Sequence, residues 1–471
     1  MTALIALDPS ETEPLYLQIA RRLREAAASG TLPAGSRLPS SRNLATQLSV
    51  ARGTVDAAYA LLAGEGAIET RGSAGTIISS QIKVPVTSPG QRSLALRDER
   101  VEAAPMPFRL GLPALDAFPR KLWSGLAVRA ARGIGPEELA YPDPAGFFRL
   151  RQAIAAYLGV SRGIVCAPRQ VLITGGFQGA LSLVRQVLLR AGDTVWVEDP
   201  GHHHTRQALE AGGARLVPVR VDREGMRVAA GTVAAPRAKL AVVTPTHQSP
   251  LGVALSLPRR LALLAWAAEA GAWVLEDDYD SEYRYTGRPL PALKSLDRGE
   301  RVLFAGSFSK VLFPGLRLGY LIVPDELAAA FQRASRLLTN GQSLLEQQVV
   351  AHFMEQGHFA RHLRRMRALY AARRSALAAA LTVAFGDRAT VELEAGGMHL
   401  LLRFPPETAD DILARQARAA GLAPTALSSL TMAHGAGSGL LLGFTNIPEA
   451  EADMLAGRLR AATSVETGPP A

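Results

Sequence analysis

Leu15, Ile19, Leu23 and Ala26 recur at spacings of four, four and three between Pro14 and Ser29, and Gly30 follows. That spacing lays one apolar stripe along a helix. Ser40 or Ser41 can cap a second helix running through Leu48. Arg52-Gly53-Thr54 opens a third, with Val55, Tyr59, Leu61 and Leu62 as its apolar contacts and Gly64 and Gly66 at its close. Ala67–Thr70 and Thr76–Ile78 then flank Gly72 and Gly75 and read as a β-hairpin. Residues 81–107 change character: Pro85, Pro89, Pro105 and Pro107 stand among scattered charges with no sustained period, the pattern of an extended linker. From Phe108 onward, apolar β-branched runs alternate with helical patterns: Val171–Thr174, Thr194–Glu198, Leu240–Thr244, Trp273–Glu276 and Val302–Ala305. Alternation of this kind predicts an α/β domain, a mostly parallel sheet with helices on both faces. The expected division is a head over 1–80, a linker over 81–107 and a large domain over 108–466.

Composition narrows the class. A length of 471 residues calls for more than one core, and 48% hydrophobic with 20% charged residues is a soluble globular balance. A single cysteine, Cys166, excludes an internal disulfide framework and a cysteine-cluster zinc site, and fits a reducing cytoplasm. The start of the chain lacks the basic opening and cleavage site of a signal peptide, and no apolar run is long enough to span a bilayer. The net charge of +10 permits nucleic-acid binding without establishing it, because residues 1–80 hold seven arginines against seven carboxylates. A DNA argument therefore rests on where the arginines sit.

By pattern alone, residues 14–78 are either a small helical accessory domain or a winged helix-turn-helix whose third helix enters the major groove. The residues Gly35-Ser36-Arg37-Leu38-Pro39-Ser40-Ser41-Arg42-Asn43-Leu44-Ala45, then Ser49-Val50-Ala51-Arg52-Gly53-Thr54-Val55 and Leu61-Leu62-Ala63-Gly64-Glu65-Gly66, resemble the GntR winged-helix family. The resemblance implies that Arg42 and Arg52 contact DNA, that Thr54 contacts backbone or base, and that the hairpin tip at Gly72 reaches the minor groove. Arg37 is a further DNA-binding candidate, with a solvated surface charge as its alternative. Arginine suits these roles because it stays charged and pairs bidentately with phosphate or guanine. The family usually has a hydroxyl residue where this chain has Gly53, so one phosphate contact is expected to be missing.

Lys310 lies in Gly306-Ser307-Phe308-Ser309-Lys310, after an apolar run that reads as a buried strand, with Arg317 behind a Pro-Gly turn. A lysine so placed can form a Schiff base with an aldehyde, with hydroxyls and a guanidinium near enough to hold a phosphate: a pyridoxal phosphate site. Three other stretches converge on it. Thr174-Gly175-Gly176-Phe177-Gln178-Gly179 joins a strand to a helix whose free N–H groups favour phosphate. Leu275-Glu276-Asp277-Asp278-Tyr279-Asp280 ends another strand, where an Asp can pair with a pyridine nitrogen. Thr246-His247-Gln248-Ser249-Pro250-Leu251-Gly252 is a turn after a third.

Together these stretches resemble the fold-type I aminotransferases, and with the head they resemble the MocR group of regulators, which includes the PdxR type. The resemblance implies a smaller C-terminal α+β subdomain and a PLP attached to Lys310. Asp277 would face the ring nitrogen, Tyr279 the ring hydroxyl and His202 the ring face. Ser307, Ser309 and Arg317, with backbone at Gly176 and Phe177, would hold the phosphate. Tyr141, in Ala140-Tyr141-Pro142-Asp143-Pro144, would reach the phosphate of a partner subunit in a homodimer. Departures from the enzymes include His202 where an aromatic ring is usual, Ser249 for an Asn, and Leu441 where an Arg anchors the substrate carboxylate. Arg206 is the candidate to replace that Arg as an effector contact. The run His202-His203-His204 is not expected to bind a metal, because adjacent imidazoles do not easily converge on one ion. The expectation is a cytoplasmic regulator that binds operator DNA and senses PLP, an amine or an amino acid. The alternatives are a working transaminase with a regulatory head, and a GntR-type repressor whose large domain binds another metabolite.

Overall fold

Ser40 turns the chain into a helix by accepting a hydrogen bond from the Asn43 N–H at 3.3 Å, so the predicted cap is the one used. The computed structural model describes residues 5, 7–8, 13–71, 75–79, 106–287 and 290–464. It divides into two compact units, Met1–Val101 and Glu102–Ala471. In the first, α1 (Leu15–Ala28), α2 (Ser41–Leu48) and α3 (Arg52–Gly64) precede the antiparallel strands β1 (Ile68–Thr70) and β2 (Thr76–Ile78). Ile19 and Leu23 of α1 pack with Leu44, Val55, Leu62, Ile68 and Ile78 in one small core. Arg24 of α1 pairs bidentately with Glu65 just past α3, at 2.8 and 3.1 Å. Of the expected linker, only Met106 and Pro107 fall among the described residues.

The second unit carries β3 (Val171–Thr174), β4 (Thr194–Asp199), β5 (Arg215–Asp222), β6 (Gly225–Met226), β7 (Leu240–Val243), β8 (Trp273–Asp278), β9 (Val302–Ser307) and β10 (Gly319–Ile322) in one eight-stranded sheet. The order is β3-β10-β9-β8-β7-β4-β5-β6. From β9 to β5 all neighbours are parallel; β10 runs antiparallel between β9 and β3, and β6 is antiparallel to β5. Both faces are covered. Val195, Val197, Leu240, Val242, Leu275 and Leu303 point to the helices at 176–188 and 325–338, while Trp196, Ala241, Val243, Val274 and Val302 point to the helix at 257–270. Strands buried on both sides read as continuous apolar runs, which is why they are visible in the sequence. A second sheet of β11 (Thr390–Glu392), β12 (His399–Phe404), β13 (Thr425–Ala426) and β14 (Ser438–Gly443) is wholly antiparallel, in the order β11-β12-β14-β13. It is the smaller C-terminal α+β part. Among the described residues no helix is long and apolar enough to cross a membrane.

The two sheets are joined by a polar staple. Asp199, fully buried at the end of β4, accepts the backbone N–H groups of Met432, Ala433 and His434 at 2.7–2.8 Å. Two residues on, the Gly201 N–H donates to the Leu430 carbonyl at 3.0 Å.

Candidate cofactor and DNA sites

In the head, the side chains of Arg37, Arg42 and Arg52 are exposed and Thr54 is half-buried. Arg52 is the first residue of α3, and its guanidinium lies 3.5 Å from Asp56 one turn on. Arg37 bridges to Ile77 and lies over Gly75, where a Cβ would come within 2.9 Å of its Nε. Arg42 projects from α2, whose left-handed cap at Ser49 turns the chain into α3. The predicted contact at Gly72 lies outside the described residues.

In the large unit the candidate residues gather where parallel strands end, the usual place for a ligand crevice in an open α/β sheet. Gly319 pairs with Thr174 on one side and Ser307 on the other, so the loops after β3 and β9 lie side by side. A side chain at Gly319 would collide with the Gly176 backbone at 2.9 Å. Gly176 opens a thirteen-residue helix that has no side-chain cap, leaving first-turn N–H groups, Phe177 included, to face an anion. The exposed Arg317 reaches the Gly175 carbonyl at 3.4 Å, and the Ser307 hydroxyl accepts the Ser309 N–H at 3.2 Å. Hydroxyls, a guanidinium and uncapped amides at one place fit a phosphate.

Lys310 Nζ donates to the Gly111 carbonyl at 3.0 Å. Burial pulls its pKa below the ordinary 10.5; Asp280 and Asp277 act against that, and Arg109 acts with it. A lowered pKa leaves more of the amine neutral and nucleophilic. Asp277 keeps some contact with solvent, yet the dense protein around its carboxyl pushes its pKa well above the usual range, with Asp278, Asp280 and Glu198 adding to the rise. A carboxyl this reluctant to ionise is stabilised by a cation, and a protonated ring nitrogen is one. Asp277 shares a cavity of about 20 Å³ with His202, Glu198, Thr205 and Arg206. His202 is exposed at its surface, yet the dense protein behind the ring, then the neighbouring His204 and His203, lowers its pKa to about 4, so the imidazole is neutral. Its Nδ1 lies 3.1 Å from the Thr205 hydroxyl. Arg206 is only 8% exposed, and its Nη1 has no hydrogen-bond partner. Tyr279 places its hydroxyl 3.0 Å from His247 Nδ1. Tyr141 stands 89% exposed, away from this cluster of contacts. Among the described residues, no three of His, Cys, Asp and Glu are arranged to hold a metal ion.

Leu441 is fully buried on β14, packed with Leu401, Leu427 and Leu430, against which Leu110 and Leu251 rest. The sequence reading missed Gly111, beside the lysine, and named His247 and Asp280 only as members of two converging stretches, without their contact beside Tyr279. Gly111 sits in Leu110-Gly111-Leu112-Pro113, where a glycine between leucines was the available signal.

Residues 118–459 match the family described as aminotransferase class I and II, and residues 15–78 match the bacterial regulatory proteins of the gntR family. The chain is 38% identical over 458 residues to the probable rhizopine catabolism regulatory protein MocR of Rhizobium meliloti, covering 94% of this chain and 92% of that one. It is 33% identical to the pyridoxine biosynthesis transcriptional regulator PdxR of Corynebacterium glutamicum, over 93% of this chain and 94% of the relative. Among solved structures, the kynurenine aminotransferase of Pyrococcus horikoshii superposes with a TM-score of 0.70 at 26% identity, covering 81% of this chain and 96% of the enzyme. Pyridoxal phosphate is the cofactor that this fold implies. With a winged-helix head ahead of an aminotransferase class I and II domain, the chain belongs to the MocR-type group of GntR-family transcriptional regulators.

Proposed function

We propose that the large domain holds pyridoxal phosphate on Lys310 and that the ligand state of this site sets how the head engages operator DNA. The observation that carries the reading is Lys310 itself: a half-buried lysine whose Nζ is held against the Gly111 carbonyl, with Asp277 and Asp280 near. Bound pyridoxal phosphate supplies an aldehyde that condenses with amines and a ring that absorbs visible light. The chain's own groups do the rest. Gly176, Phe177, Ser307, Ser309 and Arg317 hold the phosphate; Asp277 faces the ring nitrogen; neutral His202 covers the ring; Tyr279 faces the ring hydroxyl. Exposed Tyr141 is available to the site of a second copy, which makes a homodimer with two heads the working form. Arg206, buried with Nη1 unpaired, is the cation for an anionic group on the effector. The effector is PLP, an amine or an amino acid, and the setting is the cytoplasm.

A working transaminase is the second reading, favoured by the fit of the lysine and aspartate to the cofactor. Against it stands Leu441, sealed in an apolar cluster that offers no anchor to a carboxylate. The test is borohydride reduction followed by peptide mapping, with footprinting of the upstream region of the protein's own gene. Cofactor mass should appear on the Lys310 peptide and vanish in Lys310→Ala. Protection over two related half-sites should change when PLP or a candidate amine is added. An undiminished adduct in Lys310→Ala, or protection indifferent to every ligand, overturns the proposal.

A further inference from the structure

Behind Tyr279 lies a polar arrangement that the cofactor reading does not use. His247 is 6% exposed and Asp280 is 1% exposed. His247 Nδ1 is 3.0 Å from the Tyr279 hydroxyl and also 3.0 Å from Asp280 Oδ2. The two contacts are not equivalent. Asp280 Oδ2 receives no hydrogen bond, so it lies beside the nitrogen but off the N–H direction, whereas the Tyr279 oxygen makes the bond. The imidazole has little freedom to turn. A side chain on Gly397 would meet His247 Cε1 at 2.0 Å, and one on Gly252 would meet Nε2 at 3.0 Å.

One proton count follows. An ionised carboxylate beside Nδ1 favours the tautomer with its proton on that nitrogen. Nδ1–H then donates to the Tyr279 oxygen. A phenol has one proton, and an oxygen already accepting from histidine must give that proton to some other acceptor. We infer that Asp280 and His247 are positioning residues that keep Tyr279 a hydrogen-bond donor toward the ring hydroxyl of the cofactor, by fixing the Nδ1–H tautomer of His247. The inference rests on the cofactor reading for its functional end, but its tautomer end stands on this chain alone. The other charged or titratable groups around the pair are Asp277, Glu198 and Lys310 on the cofactor side, Asp278 and Tyr285 near Asp280, Arg284 and Glu394 lining one cavity with the pair, and His399, 5.4 Å from the His247 ring. Burial, reinforced by Asp280 and Asp277, raises the Tyr279 pKa well above 10, so the phenol stays protonated while this arrangement directs its proton. The Ser249 side chain also bonds Tyr279 and is the nearest competitor for that proton.

The experiment replaces charge without changing shape. In Asp280→Asn the negative charge beside Nδ1 is gone, so Nδ1 no longer favours keeping its proton and can accept the phenol proton instead, drawing it away from the ring. The visible band of the reconstituted protein should then titrate with a midpoint about one to two pH units higher, the scale of one lost hydrogen bond to a charged oxygen. The same change in a Tyr279→Phe background should move the midpoint no further, because the effect passes through the phenol. His247→Gln should reproduce the Asp280→Asn shift. Nitrogen-15 spectra of histidine in cofactor-free protein should show His247 protonated at Nδ1 in the wild type and at Nε2 in Asp280→Asn. An unmoved midpoint, an equal shift in both backgrounds, or a wild-type His247 protonated at Nε2 overturns the inference. A wild type that gains no visible band overturns the cofactor reading instead, while the nitrogen-15 result still decides the tautomer.

Discussion

Gly111→Ala places one methyl group where the structure has room for none. The position has a φ of +70°, and an ideal Cβ there would lie 2.1 Å from Lys310 Nζ and 3.0 Å from Cε. Two costs can be separated. Holding alanine in the left-handed region costs about 1–2 kcal/mol whatever surrounds it. Driving Nζ off the Gly111 carbonyl, 3.0 Å away, removes a hydrogen bond from a charged donor, worth about 1.5–3 kcal/mol. The flexible end of the lysine relieves the clash by swinging aside, so the second cost is a lost contact and not a crushed core. A double-mutant cycle isolates it. In wild type the substitution should cost the sum, about 2.5–5 kcal/mol; in Lys310→Ala only the backbone part should remain. All four tryptophans lie in the large unit, so their fluorescence follows its urea unfolding without signal from the head. The rate of borohydride-fixed cofactor on Lys310 should fall in parallel. Equal destabilisation in the two backgrounds would show that the lysine does not rest on Gly111 and would refute the reasoning.

Two further outcomes test other parts of the molecule. Arg52→Ala should weaken operator binding and reduce the slope of log K against log salt by about 0.9, leaving the visible band unchanged; an unaltered slope would remove Arg52 from the phosphate contacts. Glu198, buried among Thr244 and Gln248, has a pKa raised by burial from 4.5 to about 7. The native state therefore holds a proton that the unfolded chain releases, so its contribution is full below about pH 4.5 and is lost as pH rises through about 7. Glu198→Gln should flatten that part of the stability profile by ~3 kcal/mol, read from thermal melts across the window; an identical profile would contradict the burial argument.

The fold was legible where burial writes a period into the chain. Ile19 and Leu23 face one core, so α1 could be read with near-correct ends, and the doubly covered strands β7, β8 and β9 stood out as unbroken apolar runs. The insertion of β10 between β3 and β9 could not be read, because Tyr-Leu-Ile looks alike in a parallel or an antiparallel strand and pairing is decided by distant partners. The site divides the same way. Lys310, Asp277 and Gly176 announce themselves through local motifs at strand ends. His247 read only as part of a turn, since its meaning lies in Tyr279 and Asp280, more than thirty residues away. Leu441 was legible as a missing charge, but the packing that fills its place was not. That packing makes Leu441→Arg a poor gain-of-function test, because a guanidinium there would be buried without a partner.

The Asp199 staple constrains how this domain can move. A carboxylate gripping three successive amides has no slack: a few tenths of an ångström of slippage loosens all three bonds together. Because Asp199 is the last residue of β4, the bonds tie the segment Met432–His434 to the large sheet as a hinge pin ties a door to its frame, and any flexing of the small sheet must occur elsewhere in the chain. His202 and Arg206 stay with the large sheet, because the helix at 203–211 buries Leu209 in the core beneath that sheet. The cavity they share with Asp277 is lined by the ends of β4, β7 and β8 and by the helix start at 203, so its width is held by the large sheet alone and is indifferent to how the small sheet turns.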